Sequence, residues 1–231
     1  MQTLLTSRSI SPRFDFPFDL EQTIKALTAA YTAEVHTRGR ECQIDNELED
    51  NIRQVAVWMT GKGKGSLLLM GNVGDGKTTM MRAIRRVVHG AEIYKVTPDK
   101  FELTHMLITT ARELSEGYCA NGSAYFDKVL RNDIIGIDDM GAEPAEMLVY
   151  GNPINAIADL ICEAYEKQSQ CVITTNLRAD ELRPRYGARV ADRMNEMFDR
   201  VFFRFNTYRT YEQTNNGVSG VHTANRIPGD N

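Results

Sequence analysis

The chain has 231 residues, 42% of them hydrophobic and 25% charged, which suits one sizeable α/β domain plus a small appendage. A formal net charge of −4 excludes a polycation that holds nucleic acid by bulk charge. No apolar run approaches the roughly eighteen residues that a membrane span needs.

Export is not expected, because residues 1–12 lack an apolar core followed by a small-residue cleavage site. Cys42, Cys119, Cys162 and Cys171 are scattered without a C-x-x-C pair, which fits reduced thiols in a cytoplasm. His36, His89, His105 and His222 are equally dispersed, with no metal-ligand spacing.

Residues 1–18 read as irregular, with Pro12 and Pro17 as breakers and Phe14, Phe16 and Phe18 as anchors onto the body. Residues 19–38 suit a helix: Leu20, Ile24, Leu27 and Tyr31 recur at helical spacing, and Asp19 stands at the N-cap. A second helix is expected over 46–59, followed by a glycine-lysine hinge at 61–65. Residues 1–60 thus read as a helical appendage without the bulk for a core of its own.

Beyond the hinge, strands and helices alternate, which predicts a five-stranded parallel sheet between helices. The predicted strands are 66–70, 93–97, 133–137, 171–175 and 200–205; the predicted helices are 77–88, 99–116, 123–130, 154–168 and 188–197. Residues 210–231, rich in Asn, Gly, Thr and Ser without apolar period, read as a disordered tail.

Three strand ends carry chemistry. Gly71, Asn72, Val73, Gly74, Asp75, Gly76, Lys77 and Thr78 spell G-x-x-x-x-G-K-T between an apolar strand and a helical pattern. Glycines let backbone N–H groups approach an anion, and the following helix aims its positive end at it. Lys77 is placed to reach the β- and γ-phosphates and the Thr78 hydroxyl to ligate Mg²⁺, with Thr79 completing the binding set.

Residues 133–139 form a short apolar strand ending in Asp138 and Asp139. A carboxylate at such a place holds Mg²⁺ or its water shell, and a second orients or deprotonates the attacking water. Asp138 fits the first role and Asp139 the second; the plainer alternative is a pair of aspartates capping the next segment. Asp138-Asp139-Met140-Gly141 also matches the D-x-x-G of GTPases. No Asn-Lys pair exists to form the guanine-reading N-K-x-D, which leaves ATP as the nucleotide. The third strand, 171–175, ends at Asn176, whose amide is placed for the γ-phosphate or the attacking water, or simply for a turn. From Arg178 to Arg209 eight arginines face five carboxylates, an excess of three; subunit contacts, a DNA-facing patch and a solvated helical face all fit.

In this order, G-N-V-G-D-G-K-T, I-D-D-M-G-A-E-P, I-T-T-N-L and R-Y-G-A-R-V-A-D-R-M resemble the motifs of the DnaC-type AAA+ ATPases, the bacterial replicative helicase loaders, and of the related IstB-type transposition ATPases. The resemblance covers about residues 65–209. It implies a P-loop NTPase fold of the AAA+/ASCE kind, with Lys77 and Thr78 as the Walker A pair and Asp138 and Asp139 as the Walker B pair. Most AAA+ proteins carry Glu at the second of these places, so Asp139 implies slow hydrolysis. Asn176 matches sensor 1, Arg189 the arginine finger with Arg193 one turn beyond, and Arg209 the sensor 2 place.

A finger given by a neighbour implies self-assembly with ATP. The resemblance further implies a replicative helicase as partner, or a transposase on the IstB side, bound by residues 1–60, with single-stranded DNA as a further ligand. The sequence shows no full helical lid after these motifs, and residues 1–60 differ from the cysteine-rich segment of some loaders. A small-molecule kinase shares the phosphate loop, but 97–132 holds no arginine-rich lid for an acceptor phosphate.

Overall fold

Strand β1 (Ser66–Gly71) is buried at every residue but its last, so it needs cover on both faces and pairing on both edges. It has both. The computed structural model describes residues 16–96, 101–149 and 151–204. In it β1 lies between β8 (Gln170–Thr175) and β9 (Phe198–Phe203), all parallel, with Leu68 opposite Ile173 on one side and Arg200 on the other. β5 (Ile134–Met140) pairs with β8, and β4 (Met106–Thr110) closes the far edge, so the order is β4-β5-β8-β1-β9.

Along β1 the side chains alternate. Leu67 and Leu69 enter one core with α1 (Leu20–His36), α2 (Asn46–Met59) and α3 (Lys77–Gly90). Leu68 and Met70 enter a second core with α4 (Ala111–Asn121), α5 (Ser123–Val129), α6 (Ala156–Lys167), α7 (Ala179–Tyr186) and α8 (Ala188–Met197). Period-two alternation thus builds three layers from one apolar run.

The five-stranded parallel sheet between helices is as expected, but one of its strands is not the one expected. Residues 94–96 pair antiparallel with 101–103, as β2 (Tyr94–Val96) and β3 (Phe101–Leu103), outside the main sheet. The fifth strand of the sheet is instead β4, at one edge and inside the stretch 99–116 that reads as one helix. The reason is tertiary: β4 is half-buried against β5 and draws its order from that pairing. Thr110 ends this strand and also caps α4, its hydroxyl accepting the Glu113 N–H at 3.1 Å while Glu113 accepts the Thr110 N–H at 2.9 Å. Two elements meet within one residue, which blurs both periods. Helix α7 and strand β6 (Met147–Val149) also lie where no element was expected, and β7 (Asn152–Ile154), antiparallel to β6, takes the first residue of the predicted helix 154–168.

Asp19 caps α1 in a complete capping box with Gln22. The boundary drawn at residue 60 is no break in packing: Leu27, Leu48, Ile52, Val55 and Trp58 share one continuous core with Leu67, Met80 and Ile84. Residues 205–231, including Arg209 and the predicted tail, lie outside the described residues, as do residues 1–15 with Pro12 and Phe14. Among the described residues no helix is long and apolar enough to cross a membrane.

Candidate functional site

All five strands run the same way, so the segments after β1, β5 and β8 emerge at one edge of the sheet. Because β8 lies between β1 and β5, its end places Asn176 between the phosphate loop and the acidic strand end.

The loop closes through its own side chains. Asp75 is fully buried, and its Oδ2 accepts the Asn72 N–H at 2.6 Å, while its Oδ1 is buried without a hydrogen bond. Burial raises the Asp75 carboxyl above the ordinary aspartate value, opposed by the Asn72 N–H and the charge of Lys77. Gly76 takes φ +87° immediately before α3, and a Cβ there would stand 2.2 Å from the Tyr31 hydroxyl oxygen. Only glycine fits both the backbone and the space.

Lys77 is buried, and its ammonium donates to the Gly71 carbonyl at 3.0 Å, the Asn72 carbonyl at 2.6 Å and Asn176 Oδ1 at 2.8 Å. Burial lowers its pKa, opposed by Asp75, Asp139 and Asp138 in turn. Thr78 Oγ1 donates to Asp138 Oδ1 at 2.8 Å, and that oxygen also accepts the Thr174 hydroxyl at 2.6 Å. Thr174 Oγ1 in turn accepts the Asp139 N–H at 2.8 Å.

The two aspartates separate at a bulge, where the register of β5 on β8 shifts between Ile137 and Met140. Asp139 has φ +55°, so its side chain is exposed while Asp138 stays buried. Desolvation, then the charge of Asp138, raise the Asp139 carboxyl, against the pull of Lys77.

A cleft is lined by Val73 to Thr79, Asp139 and Asn176, and its far wall is Tyr31 and Val35 of α1 with Arg38 and Arg40 beyond it. That wall was not anticipated. Its only sequence signal was the apolar spacing of α1, which shows that a face is buried but not against what.

Thr78 and Asp138 present hard oxygen donors to one point. Among the described residues no three His, Cys, Asp or Glu side chains gather as a cage. Mg²⁺ suits such a pair, since it is held by one or two protein oxygens with phosphates and water supplying the rest.

Arg189 is exposed in the first turn of α8 and is not part of the cleft lining. Arg193 is tied within its own chain: it donates to the Cys162 carbonyl at 3.1 Å, pairs with Glu166 and lies 4.7 Å from the Tyr165 ring centre. Arg178 pairs with Asp180 and Arg185 with Glu143, so part of the arginine-rich stretch serves internal contacts.

This sheet order, with a phosphate-loop sequence after β1 and an acidic strand end two places away at β5, is the fold of the AAA+ P-loop proteins. The chain is similar in structure to DnaI, with a TM-score of 0.51 and 15% identity, over 70% of this chain and 87% of that one. It is also similar to a DNA replication initiation factor, with a TM-score of 0.52 and 12% identity, over 75% of this chain and 51% of the other. At these identities the likeness is one of fold. No protein-family model matches the sequence, and no curated protein sequence matches it.

Proposed function

We propose that this chain is an AAA+ ATPase that binds and hydrolyses ATP with Mg²⁺ and acts in DNA replication as a helicase loader of the DnaC type. One observation carries the reading: Lys77 reaches Asn176 at 2.8 Å and Thr78 reaches Asp138 at 2.8 Å, which joins three distant segments at one cleft. The two similar structures, DnaI and a DNA replication initiation factor, support the replication setting.

Each residue then has a task. The loop amides and the start of α3 face the phosphates, where the helix dipole favours negative charge. Lys77 exchanges its carbonyl partners for phosphate oxygens and is held at the loop by Asn176. Thr78 and Asp138 would hold Mg²⁺, which when bound neutralises charge developing on the phosphoryl oxygens. Asp139, exposed and partly desolvated, takes the proton of the attacking water, and Asn176 orients that water. Arg189 serves the site of a neighbouring copy, a contribution worth about 10³–10⁵ in rate. Arg209 is assigned the sensor 2 role.

The test is equilibrium binding and turnover of ATP with Mg²⁺. Lys77→Ala is expected to lose both. Absence of ATP binding by the unaltered chain, or full turnover by the variant, overturns the ATPase reading. Copurification with a hexameric helicase supports the loader role, and capture of a transposase in its place overturns it.

A further inference from the structure

Behind the acidic strand end sits a buried carboxylate that the reaction does not use. The Glu143 side chain is 1% exposed, and its two oxygens face two different elements. Oε2 accepts the N–H of Gly141, two residues beyond Asp139, at 2.8 Å. Oε1 accepts the Tyr186 hydroxyl at 2.6 Å and lies 3.3 Å from the Arg185 guanidinium. That guanidinium also donates to the Glu143 carbonyl and, through Nε, to the Tyr186 hydroxyl at 3.2 Å.

Tyr186 is the last residue of α7, Gly187 turns the chain at φ +86°, and Arg189 follows in the first turn of α8. Taking the Glu143 charge out of water costs free energy that a half-buried Arg185 offsets only in part, so stability alone is a weak reason for its presence. Burial, with the hydrogen bond to Glu143, pushes the Tyr186 phenol far above its ordinary value, so it remains a donor at any working pH.

We propose that Glu143 is a positioning residue that couples the bulge at Asp139 to the α7–α8 corner carrying Arg189, so that nucleotide at one site sets the finger offered to the next. This rests on the nucleotide-site reading above. The bulge fixes an unusual backbone path here: Asp139 has φ +55° and Gly141 φ +105°. Gly141 is pressed against the segment that follows Asn176, since a Cβ on it would stand 2.8 Å from Leu177 Cγ. A shift of Asp139 or Asn176 on loading therefore moves the Gly141 N–H. Glu143, held at both oxygens, passes that shift to Tyr186 and the corner.

Hydrogen exchange at the amides of residues 187–190 tests this, with and without a non-hydrolysable ATP analogue and Mg²⁺. In the unaltered chain the analogue is expected to change exchange there by about fivefold or more, the low end of allosteric couplings. Glu143→Gln keeps an oxygen for Gly141 but loses the charge facing Arg185, and Tyr186→Phe removes one hydroxyl only. Both are expected to bind the analogue as the unaltered chain does and to lose the exchange response. In Glu143→Gln, adding Arg189→Ala should lower assembly-dependent turnover no further.

Retention of the full response in both variants, with only a lowered Tm, makes the cluster structural and overturns the proposal. So does analogue binding by the unaltered chain without any response at 187–190. Failure of the unaltered chain to bind the analogue sinks the nucleotide reading itself, and the coupling with it. If Glu143→Gln does not fold, Tyr186→Phe decides alone.

Discussion

Asp138 and Asp139 are adjacent in the chain and chemically identical, yet one is buried against two threonine hydroxyls and the other is turned outward by a positive φ. That difference argues for different tasks. Asp139→Asn is expected to retain ATP binding and lose about 10²–10⁴ in turnover, the usual worth of a general base. A base acts when ionised, and the Asp139 carboxyl is raised by desolvation and by Asp138. Turnover should therefore fall with decreasing pH along a limb lying above the ordinary aspartate value of about 3.9. A pH–rate profile whose acid limb is the same in the Asn variant would remove Asp139 from that role.

At the same scale, Gly76→Ala places a methyl 2.2 Å from the Tyr31 hydroxyl oxygen but 3.4 Å from the ring carbon that bears it. Loss of ATP affinity is expected. Tyr31→Phe in the same chain should restore part of it, leaving the backbone strain of about 1–2 kcal/mol that an L-residue meets in this conformation. Equal affinities of the single and double variants would mean that Tyr31 does not shape the loop.

Among the elements, α1 has a double duty, filling one core with Leu27 and walling the cleft with Tyr31 and Val35. Leu27→Ala should lower unfolding free energy by about 2–5 kcal/mol in urea titrations, as for other fully buried leucines. A loss under about 0.5 kcal/mol, the usual range of surface changes, would show that α1 is dispensable to the core. The helical period of α1 was legible in the sequence, whereas its partner was not, because amphipathicity reports a buried face and no address. The stretch 99–116 failed for a related reason. β4 is a half-buried edge strand whose order comes from β5, and the Thr110 cap joins it to α4 with no intervening turn residues.

For the molecule as a whole, we propose that Arg189, exposed and outside its own cleft, completes the site of another copy. Arg189→Ala should bind ATP normally and lose turnover that rises with protein concentration. Mixing it with Lys77→Ala, which lacks a site but keeps its finger, should restore part of that turnover. A mixture no more active than the sum of its parts would mean that Arg189 does not act across an interface.

The sequence by itself determined the local chemistry: the phosphate-loop motif, the acidic strand end, Asn176 and the apolar runs of β1, β5 and β8. These signals are readable because each depends on residues within a few positions of one another, where spacing and backbone geometry are dictated by the chain. Only the tertiary structure decided which strands are neighbours, that the two aspartates part at a bulge, that α1 walls the cleft, and that Glu143 is buried between Gly141 and Tyr186. Those facts arise from pairings across tens of residues, and no local period encodes which surface a buried face will meet.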